Sequence, residues 1–156
     1  MKFNASEDVD APIDMVFAAY TDFVRYENGA RSRGAEVRRV NAFLLATEGA
    51  QWRGSIPIRG KTRKIEAVII KLAQNDRAIL EAVIGGMEVQ FEMIFVALTP
   101  VVTRVSITVN LQPRTLAARL IVQSAKLARS KIIKRIHAML VRYADEIEAA
   151  HRRSMT

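Results

Sequence analysis

Apolar and polar positions alternate through the middle of this chain and recur at helical spacing towards its end. Residues 2–9 alternate weakly and predict a first strand. Pro12 stands where a helix can begin, because its missing N–H is an orphan in a first turn, and Asp14 suits the helix dipole there. Ile13, Val16, Phe17 and Tyr20 make a short apolar stripe at helical spacing. A second short helix is predicted over 22–27, ending on the Asn28-Gly29 stop signal. Strands follow over 34–41, 51–58 and 61–72, with turns at Arg59-Gly60 and Asn75-Asp76. Trp52, Gly54, Ile56 and Ile58 share one face. The stretch 42–50 is apolar at Phe43-Leu44-Leu45 but has no period.

Gly85-Gly86 marks a hairpin, since two glycines suit a two-residue turn with positive φ. That turn sets Ile84 opposite Met87, Ala82 opposite Val89, Leu80 opposite Phe91 and Ala78 opposite Met93, all on one face. Glu81, Glu88, Gln90 and Glu92 fall on the other, so the sheet is covered on one side only. A last strand over 103–111 places Thr103, Val105, Ile107, Val109 and Leu111 together. Thr115 then caps a helix that runs without Gly or Pro to about Ala150. Such a helix is roughly 54 Å long, against a radius of gyration near 15 Å for a domain of this size, so it overhangs, kinks or uses its first turns elsewhere. Its stripe reads Ile121, Ala125, Ala128, Ile132, Ile136, Leu140, Tyr143 and Ile147. Leu116 to Leu127 is apolar on more than one side, which suits a lid, a homodimer contact or a surface-binding segment. This order of parts suits an α+β domain in which a curved antiparallel sheet wraps a long C-terminal helix, with room for a hydrophobic cavity between them.

Half of the 156 residues are hydrophobic, enough for one domain spanning 1–156 with a sizeable core. There is no Cys, which fits a reducing compartment. Glu7-Asp8 sits where a signal peptide needs its apolar stretch, and no apolar run approaches the roughly 20 residues of a membrane span, so the expected setting is cytoplasmic. The net charge is +8, and no Asp or Glu occurs from Met93 to Ala144. Arg119, Lys126, Arg129, Lys131, Lys134 and Arg135 therefore form either a solvated helix face or a site for an anionic partner. A peripheral contact with an anionic membrane could draw about 1 kcal/mol from each such residue. Nucleic acid is disfavoured, because no stacking aromatics interleave with these charges.

The opening Val9-Asp10-Ala11-Pro12-Ile13-Asp14-Met15-Val16-Phe17, the following Tyr20-Thr21-Asp22-Phe23, Trp52 in Gln51-Trp52-Arg53-Gly54, and the helix opening Arg114-Thr115-Leu116-Ala117-Ala118-Arg119-Leu120 together resemble the START-like superfamily, also called SRPBCC or Bet v 1-like. The likeness is to its bacterial polyketide cyclase/dehydrase-like members and covers nearly the whole chain. It implies a helix-grip fold: about seven strands around a long C-terminal helix, with two short helices after strand 1. It also implies a hydrophobic or amphipathic ligand of lipid, polyketide or isoprenoid type. Some members are cyclases or dehydratases, so an enzyme acting on a polyketide-like substrate is the alternative. The fold brings no family-wide catalytic motif with it.

Catalytic signal is weak. His137 lies at the edge of the apolar stripe, and His151 in the terminal turn. Glu66 would face the cavity if Leu72 does, and would then have a raised pKa. Without Cys, and with no second His near His137, no zinc site is expected, and no cofactor motif appears. The cavity wall is expected from Trp52, Ile56, Leu80, Met87, Phe91, Met93, Phe95 and Tyr143. Tyr20, Tyr26, Thr103 and Arg53 are candidate polar handles at its rim, as is Tyr143 itself.

Overall fold

The structure is a computed structural model that describes residues 1–40 and 47–156. Phe43-Leu44-Leu45 lies outside the described residues. Strand β1 (Lys2–Val9) is followed by helices α1 (Ile13–Tyr20) and α2 (Phe23–Ser32). Then come β2 (Glu36–Arg39), β3 (Gln51–Ile58), β4 (Lys61–Ala73), β5 (Arg77–Ile84), β6 (Met87–Thr99) and β7 (Val102–Pro113), and finally α3 (Leu116–Leu127) and α4 (Arg129–Ser154). The seven strands form one antiparallel sheet in the order β1-β7-β6-β5-β4-β3-β2. It curves around the helices, which is the helix-grip arrangement.

The hairpin register follows the two glycines as the turn chemistry requires: Ile84 pairs with Met87, Ala82 with Val89, Leu80 with Phe91 and Ala78 with Met93. Gly85 has φ 59°, a conformation that glycine adopts without strain. A Cβ on Gly86 would lie 2.3 Å from the Thr115 hydroxyl, so the turn sits directly against the start of α3. Thr115 caps that helix by accepting from the Ala118 N–H at 3.1 Å.

Two helix boundaries depart from the sequence expectation. Helix α2 does not stop at Asn28-Gly29 but continues to Ser32. Glycine inside a helix costs only about 1 kcal/mol, and packing outweighs it. The stop is at Gly34 (φ 92°), where Gly34 N–H bonds Arg31 O and Ala35 N–H bonds Ala30 O, a Schellman closure. A Cβ on Gly29 meets nothing within 4 Å, so Gly29→Ala is expected to stabilise by about 0.5–1 kcal/mol. Thermal unfolding followed by circular dichroism should show a midpoint raised by about 1–4 °C.

The C-terminal helix is two helices. Ala128 (φ −101°, ψ 17°) breaks it, with its N–H shared between Ser124 O and Ala125 O. The cause lies in packing. Helix α3 buries Ala118 and Val122 against Met87, beside Val89 and Leu111, whereas α4 buries Leu140, Tyr143, Ala144 and Ile147 in a different cluster. The break lets each segment follow its own contact.

Candidate functional site

Residues paired across the strands point to the same face, so the register defines rows on the side that carries the helices. One row runs Trp52, Ala67, Ala82, Val89 and Leu111. A second runs Gly54, Ile65, Ile84 and Met87, and a third runs Ile69, Leu80, Phe91, Val109 and Phe3. Next come Leu72, Ala78, Met93 and Ile107, then Phe95 and Val105. These rows are apolar, with Arg39, Arg63, Glu7 and Thr103 on the same face at their margins, and they are not uniformly filled.

Its described core divides into three clusters. The first joins Phe17, Tyr20, Met93, Phe95, Ile107, Leu140 and Tyr143. The second joins Phe23, Ala50, Trp52 and Ile69. The third joins Met87, Ala118 and Val122 beneath α3. Ile65, Ala82 and Ile84, which lie between them, belong to none and remain partly accessible, as do Ile132 and Ile133 on α4. The first two clusters meet through Tyr26 and Leu72, which pack against both. Apolar side chains stay partly accessible at the middle of the curved sheet, where the row through Trp52 narrows to two alanines.

The closed end is held by a run of rings. Phe95 meets Phe17 edge-on at 5.0 Å and Tyr20 at 6.3 Å. Tyr20 meets Tyr143 at 5.6 Å, and Tyr143 stacks on Tyr26 at 6.2 Å. Tyr26 meets Phe23 at 6.0 Å, and Phe23 meets Trp52 at 5.8 Å. Ring pairs of this kind contribute about 0.5–1.5 kcal/mol each beyond their burial. Two tyrosine hydroxyls are committed to backbone: Tyr20 donates to Leu140 O at 2.9 Å and Tyr26 to Tyr20 O at 2.6 Å. Burial pushes both phenols well above their ordinary pKa. Thr103, wholly buried, donates to Ala11 O at 2.9 Å.

Glu27 locks the α2 side of the face. Its Oε1 accepts from Trp52 Nε1 at 2.6 Å and from Arg39 Nε at 3.0 Å and Nη2 at 2.6 Å. Both charged side chains are nearly covered, at 13% exposed for Arg39 and 11% for Glu27. Burial alone pushes the carboxyl upward, but the hydrogen bonds from Trp52 and Arg39 outweigh it and hold its pKa below the usual glutamate value. The folded carboxyl thus titrates below its unfolded counterpart near 4.3. Its contribution is complete above that pH and is lost as pH falls through the folded value. Glu27→Gln should therefore cost about 2 kcal/mol near neutrality and flatten the acid side of the stability profile. Thermal midpoints from neutral pH down through the carboxylate range check this. Equal acid slopes for the two proteins would contradict it.

The expected wall residues occupy varied positions. Trp52, Met87, Met93, Phe95 and Tyr143 are buried in the three clusters, while Leu80, Phe91 and Ile56 point inward and stay partly accessible. Glu66 lies on the opposite face, 69% exposed and 3.8 Å from Arg53. Leu72 does point inward, but a bulge at Ile70 adds one residue between Ile69 and Lys71 and inverts the alternation. His137 is about half exposed, with Nε2 3.2 Å from Glu7. Glu66 and His137 are not brought together. Sequence reading missed Ala67 and Ala82, and also Arg63. The register puts Arg63 on the face of Ile56, and its Nε is buried without a hydrogen-bond partner. Arg119, Lys126, Arg129, Lys131, Lys134 and Arg135 are all exposed.

Among the described residues no group of His, Cys, Asp or Glu could hold a metal ion, and no helix is long and apolar enough to cross a membrane. Neither a protein-family sequence model nor a curated protein matches the chain. Solved structures do. An aromatase/cyclase, ZhuI, from a Streptomyces species superposes with TM-score 0.65 at 15% identity, covering 95% of this chain and 93% of that one. A Thermus thermophilus protein, TTHA0849, gives TM-score 0.62 at 16% identity, covering 96% and 99%. A norcoclaurine synthase point mutant from Thalictrum flavum, in complex with a transition-state analogue, gives TM-score 0.62 at 8% identity, covering 97% and 96%.

Proposed function

We propose that this chain, whose fold is the START-like (SRPBCC, Bet v 1-like) helix grip, binds an apolar or amphipathic small molecule between the curved sheet and α4. The ligand is of lipid, polyketide or isoprenoid type. The observation that carries this reading is that the inward-facing Ile65, Ala82 and Ile84 belong to no core cluster and remain partly accessible. Ligand sites are concave and mostly apolar, with a few polar groups that orient the ligand. Arg63, with its uncompensated Nε, is the group assigned to that orienting role. The aromatase/cyclase sharing this fold supports a second reading, an enzyme of the cyclase or dehydratase kind.

The protein has one tryptophan, and Trp52 stands at the end of the row that contains Ala67 and Ala82. Its emission is therefore a built-in reporter of that space. Titration with a panel of neutral polycyclic, prenyl and fatty-acyl compounds should give a saturable shift for at least one class. Emission that stays fixed across the panel would overturn the binding reading.

A further inference from the structure

Helix α3 is amphipathic in an unusual sense, because each of two opposite sides carries an apolar stripe. Ala118 and Val122 face the protein, with Ile121 packed beside them. On the other side Leu116, Leu120 and Leu127 are 74%, 63% and 93% exposed. At 100° per residue these three fall within about 40° of one another, so they form a single outward stripe. Lone exposed leucines need no explanation, but an aligned set on one helix does.

Basic groups border the stripe. Arg119 and Lys126 lie along one side of it and, with Arg129, surround a hollow of about 700 Å³ lined also by Met1, Pro113 and Val122. Exposed Lys131, Lys134 and Arg135 continue the charge along the first turns of α4. No acidic residue occurs in the sequence from Met93 to Ala144 to neutralise them. A second copy of this chain would bring the same charges against themselves, which disfavours self-association through this face.

We propose that α3 docks on an anionic lipid surface, with the three leucines entering the acyl boundary and a headgroup phosphate held among Arg119, Lys126 and Arg129. An exposed apolar stripe flanked by Lys and Arg is what an interfacial helix needs, since burial of the leucines and attraction to anionic headgroups then act together. This docking is separate from ligand binding on the concave face and does not depend on it. It would bring the end of that face closed by Met87, Ala118 and Val122 next to the bilayer.

The test is flotation of the full chain with phosphatidylcholine vesicles and with vesicles containing phosphatidylserine. The expected result is binding to the anionic vesicles alone, weakening as salt rises. Arg119→Gln with Lys126→Gln should weaken it at least tenfold. Leu116→Ser with Leu120→Ser and Leu127→Ser should do so as well, with circular dichroism unchanged because no buried side chain is altered. Equal binding to neutral vesicles, or full binding by the leucine variant, overturns the proposal. So does salt-sensitive binding to RNA or an acidic peptide with none to vesicles.

Discussion

Alanine at Gly54 is expected to destabilise the protein by about 3 kcal/mol, more than overpacking usually costs when side chains can yield. A Cβ there would stand 1.9 Å from Glu36 O and 2.8 Å from the Val37 Cα. Both are backbone atoms of β2, the edge strand that pairs with β3 from Glu36 to Arg39. No rotamer change relieves such a contact. The edge strand must move, and it carries Arg39 away from Glu27 and Trp52 as it does so. For a chain of this length the loss corresponds to a thermal midpoint lowered by about 6–12 °C. Amide exchange resolved along the chain should show lost protection in β2 and β3, with β6 and β7 retained. A midpoint within a degree of the parent would contradict the close approach.

The second large effect concerns binding. Ala67→Phe combined with Ala82→Phe places two rings on adjacent strands at the centre of the row between Trp52 and Val89. If the accessible apolar surface there is the ligand site, the rings occupy it. Affinity for any compound that shifts Trp52 emission should fall at least tenfold, a change of about 1.4 kcal/mol. Both alanines are partly accessible rather than buried, so the variant should fold with a midpoint near that of the parent. Unchanged affinity in the folded double variant would place the site elsewhere. A parallel substitution at Ala78, buried within the first cluster, should instead unfold the protein, which separates filling a site from overpacking a core.

Local rules carried much of the fold. Two adjacent glycines determine the β5–β6 register, because a two-residue turn leaves one pairing open and the alternation then assigns each side chain to a face. Pro12, Asp22 and Thr115 mark the helix starts for local reasons as well: Asp22 accepts from Arg25 N–H and Thr115 from Ala118 N–H. What was not legible depends on contacts distant in sequence. Val68 to Leu72 reads the same wherever an extra residue sits, so the bulge at Ile70, and with it the side on which Glu66 lies, is decided by pairing with β5. The break at Ala128 has no glycine or proline to announce it and arises because α3 and α4 pack on different clusters. Glu27 gives no local sign of its partners, because β2 and β3 bring Arg39 and Trp52 to it from 12 and 25 residues away. The face on which the large strand residues lie was legible, since period alone assigns it. The partial accessibility at the middle of that face was not, because Ala67 and Ala82 look like ordinary strand residues until the register sets them side by side.

Native mass spectrometry of the purified protein, followed by denaturation and organic extraction, tests the binding claim most directly. The account predicts a near-stoichiometric apolar molecule retained by the parent protein and absent from the Ala67→Phe, Ala82→Phe variant. A parent protein that comes through empty and takes up nothing from a total lipid extract, or a filled variant that retains the same molecule in the same amount, would contradict it.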